Sequence, residues 1–135
     1  MRPEANDTER GKTILVVEDD PVNRLVLLDF LEAHGYRVFV SRTGPDGVAA
    51  FWKDRPDLML VDVLLPLKNG FEVCFDIKRS PEGQATPVLL MSAIYKDVAH
   101  AEGYAKTDLG AAGFLVKPFE LSDLLARVHT LIGKA

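Results

Sequence analysis

Apolar residues along the chain fall into two alternating textures. Runs of three or four consecutive apolar residues occur at Ile14-Leu15-Val16-Val17, Val38-Phe39-Val40, Leu58-Met59-Leu60-Val61, Val88-Leu89-Leu90-Met91 and Phe114-Leu115-Val116. They read as strands, the longer ones covered on both faces. Helix-length amphipathic segments lie between them. Pro21 suits a first helical turn, and the segment after it carries Val22, Leu25, Val26, Leu28 and Phe30 before a stop near His34-Gly35. Gly44-Pro45 opens a second helix with Val48, Phe51 and Trp52, closed by Arg55-Pro56. After a turn through Pro66 and Asn69-Gly70, a third helix carries Phe71, Cys74, Phe75 and Lys78 and fades at Ser80-Pro81-Glu82-Gly83. Between Asp97 and Thr107 only Val98, Ala101, Tyr104 and Ala105 form a thin apolar stripe. The last helix is well marked, with Leu121, Leu124, Leu125, Val128, Leu131 and Ile132 at helical spacing. Five strand–helix units in strict alternation predict an α/β fold, a doubly wound parallel five-stranded sheet with right-handed crossovers and helices on both faces.

The chain has 135 residues, a length that suits one domain. Residues 1–11 are polar, lack an apolar signal core and read as a flexible leader to a domain over 12–135. With 47% apolar and 27% charged residues the composition is that of an ordinary globular domain. No apolar run approaches the roughly 20 residues that cross a bilayer, so a cytoplasmic protein without a membrane partner is expected. Its 16 basic against 20 acidic residues, net −4, give no support for a nucleic-acid surface. A single cysteine, Cys74, excludes an internal disulfide, and His34, His100 and His129 lack zinc-ligand spacing. Cys74, Met91 and Trp52 read as core or half-buried residues.

Ligands of open parallel sheets bind at the carboxyl ends of the strands, so the residues following each apolar run carry the chemistry. Glu18, Asp19 and Asp20 follow the first run, Asp62 the third, Ser92 the fourth and Lys117 the fifth. Two carboxylates about 4 Å apart repel by roughly 4 kcal/mol at an effective dielectric near 20. Such a cluster raises a carboxyl pKa or recruits a cation. Oxygen ligands favour a hard ion such as Mg²⁺, and a carboxylate can itself take a phosphoryl group. The plainer readings are that Asp19 or Asp20 caps a helix, that Ser92 caps the next helix, and that Lys117-Pro118 is a turn whose peptide bond is a candidate for cis.

Four segments together resemble a response-regulator receiver domain of two-component signalling, of the chemotaxis-receiver kind. They are Val16-Val17-Glu18-Asp19-Asp20-Pro21, Leu60-Val61-Asp62-Val63-Leu64-Leu65-Pro66, Met91-Ser92-Ala93 and Gly113-Phe114-Leu115-Val116-Lys117-Pro118-Phe119. The similarity spans about residues 12–133. It implies a flavodoxin-like (βα)₅ fold of three α/β/α layers that accepts phosphate from a phosphohistidine on a sensor histidine kinase or phosphotransfer protein. By that resemblance Asp62 is the phosphoacceptor. Asp19, Asp62 and the backbone carbonyl of Leu64 hold Mg²⁺, or Mn²⁺ in its place, and Glu18 acts directly or through a water. Lys117 pairs first with Asp62 and then with the phosphoryl oxygens. Ser92 is the switch hydroxyl and Phe114 the switch aromatic, which turns inward and repacks the surface of the fourth helix, fifth strand and fifth helix. The chain departs from the pattern in three ways. Glu18 stands where Asp is frequent, Phe114 lacks the hydroxyl of the frequent Tyr, and the stretch from Ser92 to Lys117 is longer by about one helical turn.

An aspartyl phosphatase of the haloacid-dehalogenase type wants a second Asp two residues after the nucleophile, where this chain has Leu64. Flavin and nucleotide modules need a Gly- or Ser/Thr-rich first loop, and this loop is acidic. The remaining alternative is a pseudo-receiver that keeps the fold as a protein-interaction module without phosphorylation. No enzyme activity is expected beyond Mg²⁺-dependent self-phosphorylation and autodephosphorylation of Asp62. The five units use nearly the whole length, so no attached DNA-binding or catalytic output is expected. The signal should leave through a surface to a protein effector, from a monomer or a dimer formed on phosphorylation.

Overall fold

Each of the five apolar runs is a strand in the computed structural model, which describes residues 11–93 and 102–135. The strands are β1 (Thr13–Val17), β2 (Arg37–Ser41), β3 (Leu58–Asp62), β4 (Val88–Ser92) and β5 (Gly113–Val116), all parallel in the order β2-β1-β3-β4-β5. Their side chains divide by alternation. Leu15, Val17, Met59, Val61, Val88, Leu90 and Phe114 face one core, while Ile14, Val16, Leu58, Leu60, Leu89, Met91 and Leu115 face the other. Continuous apolar runs are what a sheet buried on both faces requires. The flavodoxin-like arrangement follows, with the chain reversing its direction across the sheet between β1 and β3.

The first core is closed by α2 (Gly44–Asp54) and α3 (Gly70–Lys78), the second by α1 (Pro21–Ala33) and α5 (Leu121–Ile132). Asp20, Thr43 and Asn69 accept hydrogen bonds from the first-turn amides of α1, α2 and α3. Asn69 and Glu72 form a reciprocal capping box. The face of α1 differs from the sequence expectation. Val22, Leu25 and Val26 are exposed, and the helix buries Leu27 and Leu31 with Phe30 half-buried beside them. Apolar residues surround this helix on nearly every side, so its periodicity does not single out the inner face. Cys74 and Met91 are fully buried, whereas Trp52 is exposed at its edge under the Arg55 guanidinium.

Two further departures concern connections. A short helix, α4 (Pro81–Ala85), occupies the segment read as the fading end of the third helix. Ser80 Oγ accepts from the Gly83 amide at 3.0 Å, so Ser-Pro begins a new turn here as well as ending the old one. Gly83 is required because a Cβ there would lie 1.7 Å from the Ile77 carbonyl oxygen. The Lys78 ammonium donates to the Gly83 and Thr86 carbonyls, and its burial lowers the lysine pKa. In the expected fourth helix, Tyr104–Asp108 winds as a π-helical turn, with Ala105 buried and Tyr104 exposed. A π turn takes up extra residues per turn, which accommodates part of the added length between Ser92 and Lys117. Val98, Ala101 and residues 1–10 of the expected leader lie outside the described residues. Among the described residues no helix is long and apolar enough to cross a membrane.

The β3–α3 loop sets the floor of the carboxyl edge. Gly70 lets α3 start directly against β3, since a Cβ there would come 2.4 Å from the Asp62 carbonyl oxygen. Leu67 in the same loop has φ 72° and is 86% exposed. A left-handed conformation costs a β-carbon-bearing residue about 1 kcal/mol, and this side chain recovers almost none of that by burial. Leu67→Gly should therefore raise unfolding stability by about 0.5–1 kcal/mol. Urea denaturation would read this as a higher midpoint at unchanged slope; a lower midpoint would contradict it.

Candidate functional site

The carboxyl edge gathers the residues singled out in the sequence. Glu18 follows β1, Asp62 ends β3, Ser92 ends β4 and Lys117 follows β5. Register places them together: Val17 pairs with Val61, Asp62 with Met91, and Ser92 with Val116. The Lys117 amide donates to the Ser92 carbonyl at 2.9 Å, which ties the β5 exit to the β4 exit. The Lys117-Pro118 bond is cis.

Three ionisable groups form the centre. Glu18, 1% exposed, accepts through Oε1 from Lys117 Nζ at 2.6 Å and through Oε2 from the Asp20 amide at 3.2 Å. Asp62, 7% exposed, places Oδ2 3.6 Å from the same ammonium. Lys117 thus lies closer to Glu18 than to Asp62, where the family pattern led us to expect its first partner. In its protonated form the Asp62 carboxyl can donate a hydrogen bond to Glu18. Burial raises the Asp62 pKa to about 6, assisted by the Glu18 charge and that hydrogen bond, and opposed by Lys117 and the Leu64 amide, which donates to Asp62.

The other named residues occupy distinct places. Asp19 is exposed beside Glu18, and Asp20 is the N-cap of α1, accepting from the Asn23 amide at 2.8 Å. The capping role therefore belongs to Asp20, which leaves Asp19 for solvent or a ligand. Ser92 is buried. The Leu64 side chain is exposed beside Asp62. Phe114 is 2% exposed, in the core of the α2–α3 face. With no hydroxyl to reach water, the ring has every reason to stay buried.

Sequence reasoning did not single out Arg24, whose Nη1 donates to the carbonyls of Glu18 and Asp19, each at 3.1 Å. The signal was available. A cation in the first turn of a helix runs against the helix dipole, so Arg24 calls for a local partner.

The donor set fits a hard divalent cation. Glu18 and Asp62 converge on Lys117, Asp19 follows Glu18 in the chain, and all offer oxygen. Among the described residues no three acidic, histidine or cysteine side chains close around one point. Mg²⁺ keeps several waters and takes one or two carboxylates, so it does not require such a cluster.

A doubly wound parallel sheet carrying buried carboxylates and a lysine at its carboxyl edge is a flavodoxin-like fold with an ionic site at its ligand-binding edge. The sequence model of the response regulator receiver domain matches residues 14–129. The chain belongs to that family. It is 36% identical over 122 residues to the DNA-binding dual master transcriptional regulator RpaA of Synechocystis, covering 90% of this chain and 49% of that protein. It is 32% identical over 120 residues to protein PilH of Pseudomonas aeruginosa, covering 89% of this chain and 97% of that one. The chain thus spans about half the length of relatives such as RpaA and nearly all of PilH. Among solved structures it is similar to the receiver domain of a Pseudomonas aeruginosa sensor histidine kinase, crystallised with a magnesium ion in its active site cleft. That likeness has a TM-score of 0.81 at 29% identity and covers 92% of this chain and 99% of that one.

Proposed function

We propose that this receiver domain accepts a phosphoryl group on Asp62 from the phosphohistidine of a sensor kinase or phosphotransfer protein, and so controls a protein partner in the cytoplasm. The observation that carries this reading is the placement of Asp62: a buried carboxyl at the end of β3, with one cation and a second carboxylate of its own chain beside it. In the transfer an Asp62 oxygen attacks phosphorus, the P–N bond breaks, and the imidazole nitrogen keeps the electron pair. Lys117 is the chain's own cation for the incoming equatorial oxygens. To serve there it moves from Glu18 toward Asp62, which lies 3.6 Å away. The Ser92 hydroxyl offers a hydrogen bond from the neighbouring strand end. Glu18, Asp19, Asp62 and the Leu64 carbonyl would hold Mg²⁺, which supplies positive charge against the developing negative charge of the phosphoryl group. Hydrolysis of the aspartyl phosphate returns the domain to its starting state.

The response would leave through the face of the π-helical turn, β5 and α5, since Lys117 and Ser92 are joined by backbone to β5. Phe114 being already buried, the change there is one of packing around the ring.

Incubation with acetyl phosphate and Mg²⁺ should add one phosphoryl mass to the wild type, with acetate leaving, and none to Asp62→Asn. Intact-mass spectrometry decides it. No gain on the wild type would favour a protein-interaction module that works without phosphorylation, and an equal gain on the variant would place the acceptor elsewhere.

A further inference from the structure

The three acidic residues after β1 present three consecutive carbonyls, Glu18, Asp19 and Asp20, beyond the last paired residue of the strand, Val17. One residue takes all three. The Arg24 amide donates to Asp20 O at 2.9 Å, and Arg24 Nη1 donates to Glu18 O and Asp19 O at 3.1 Å each. The side chains tighten the same loop, with Glu18 Oε2 accepting from the Asp20 amide and Asp20 Oδ2 from the Asn23 amide. The direction in which the Glu18 and Asp19 carboxylates leave the loop is set by this backbone. A loop that already holds its shape loses less entropy when a ligand binds. Helix rules alone disfavour a cation at this position, so the carbonyls are what give Arg24 its place.

Resting on the phosphoacceptor reading of the site, we infer that Arg24 is a positioning residue. Its guanidinium braces the acidic loop so that the Glu18 and Asp19 carboxylates are aimed for a divalent cation before that cation arrives. The sign of its effect separates this role from simple electrostatics. A guanidinium near the site repels a second cation, so removing its charge alone would tighten Mg²⁺ binding. Only loss of the brace loosens it.

The test is calorimetric titration of Mg²⁺ into unphosphorylated wild type, Arg24→Met and Arg24→Lys, with circular dichroism to show each is folded. Arg24→Met, which keeps the apolar stem, should bind Mg²⁺ about tenfold more weakly. Arg24→Lys keeps the charge but not the reach of the fork, and should weaken binding at least as much. In acetyl phosphate labelling the Mg²⁺ concentration for half-maximal rate should rise by the same factor, while the rate at saturating Mg²⁺ stays within about twofold. Affinity in Arg24→Met equal to or tighter than wild type would overturn the inference, as would wild-type affinity in Arg24→Lys. If Arg24→Met does not fold, the lysine variant decides alone. Failure of the wild type to label would defeat the phosphoacceptor reading, yet the calorimetry would still report on Arg24.

Discussion

Asp62→Asn, measured without metal in the presence of a chelator, should be more stable than the wild type by about 3 kcal/mol at about pH 8, and equal to it below about pH 3. The sign follows from the direction of the shift. The Asp62 pKa rises from 3.8 to about 6, mainly because the folded protein takes the carboxylate out of water. Below the lower value the carboxyl is protonated in both states and nothing is lost. Between the two values the unfolded chain ionises first, so stability falls as pH rises. Above the upper value both states are ionised and the folded one carries the whole penalty. Asparagine has the same shape, no charge, and an amide that can donate to Glu18 where the carboxyl needs a proton. It also leaves Lys117 and Glu18 as a balanced pair. Urea denaturation followed by circular dichroism across this range isolates the residue, because every other titrating group is common to both proteins. A gap that persists at the acid end, or that is missing at the alkaline end, would show that Asp62 is not the strained carboxyl. On this expectation the buried carboxyl costs folding stability, as is usual when a site stores charge in a buried place. Mg²⁺ should narrow the gap from the wild-type side by binding the folded state.

The strands, their parallel pairing and the carboxyl-edge constellation were legible in the sequence for the same physical reason. A sheet covered on both faces needs uninterrupted apolar runs, and a polar residue directly after such a run has only the sheet edge in which to stand. Glu18, Asp62, Ser92 and Lys117 are all found there. What could not be read depends on lengths and faces that a one-dimensional pattern leaves open. Lys117 lies nearer Glu18 than Asp62, a difference in distance that a linear pattern does not carry. Val22, Leu25 and Val26 face outward because α1 offers apolar residues on several sides and the sheet takes only Leu27 and Leu31. Ser80-Pro81 serves equally as a stop and as a start, so α4 was hidden within a stop signal. Burial of Phe114 follows from a ring with no hydroxyl, but the pattern of a strand shows only which neighbours it alternates with, not which side is covered.

Lys117→Met should have the opposite effect to Asp62→Asn and should be coupled to it. In the wild type the ammonium touches Glu18 and stands near Asp62, so its loss leaves two buried carboxyls with no cation of their own chain. Breaking a buried pair from one side costs about 3 kcal/mol or more, and methionine replaces the stem without the charge. The loss should be full at about pH 8 in chelator and shrink as the pH falls, because a proton on the carboxyl pair does part of the work of the lysine. In the Asp62→Asn background only one carboxylate is left behind, so the same substitution should cost about 1 kcal/mol less there. Denaturation of the four proteins in the cycle measures that coupling directly. Mg²⁺ binding gives an independent reading. If a divalent ion takes the Glu18 and Asp62 oxygens beside the lysine, Lys117→Met should bind Mg²⁺ several-fold more tightly, on the order of the repulsion removed, while its labelling by acetyl phosphate collapses. Equal losses in both backgrounds would mean that Lys117 acts on Glu18 alone, and Mg²⁺ affinity unchanged from wild type would mean that the two cations do not share a site.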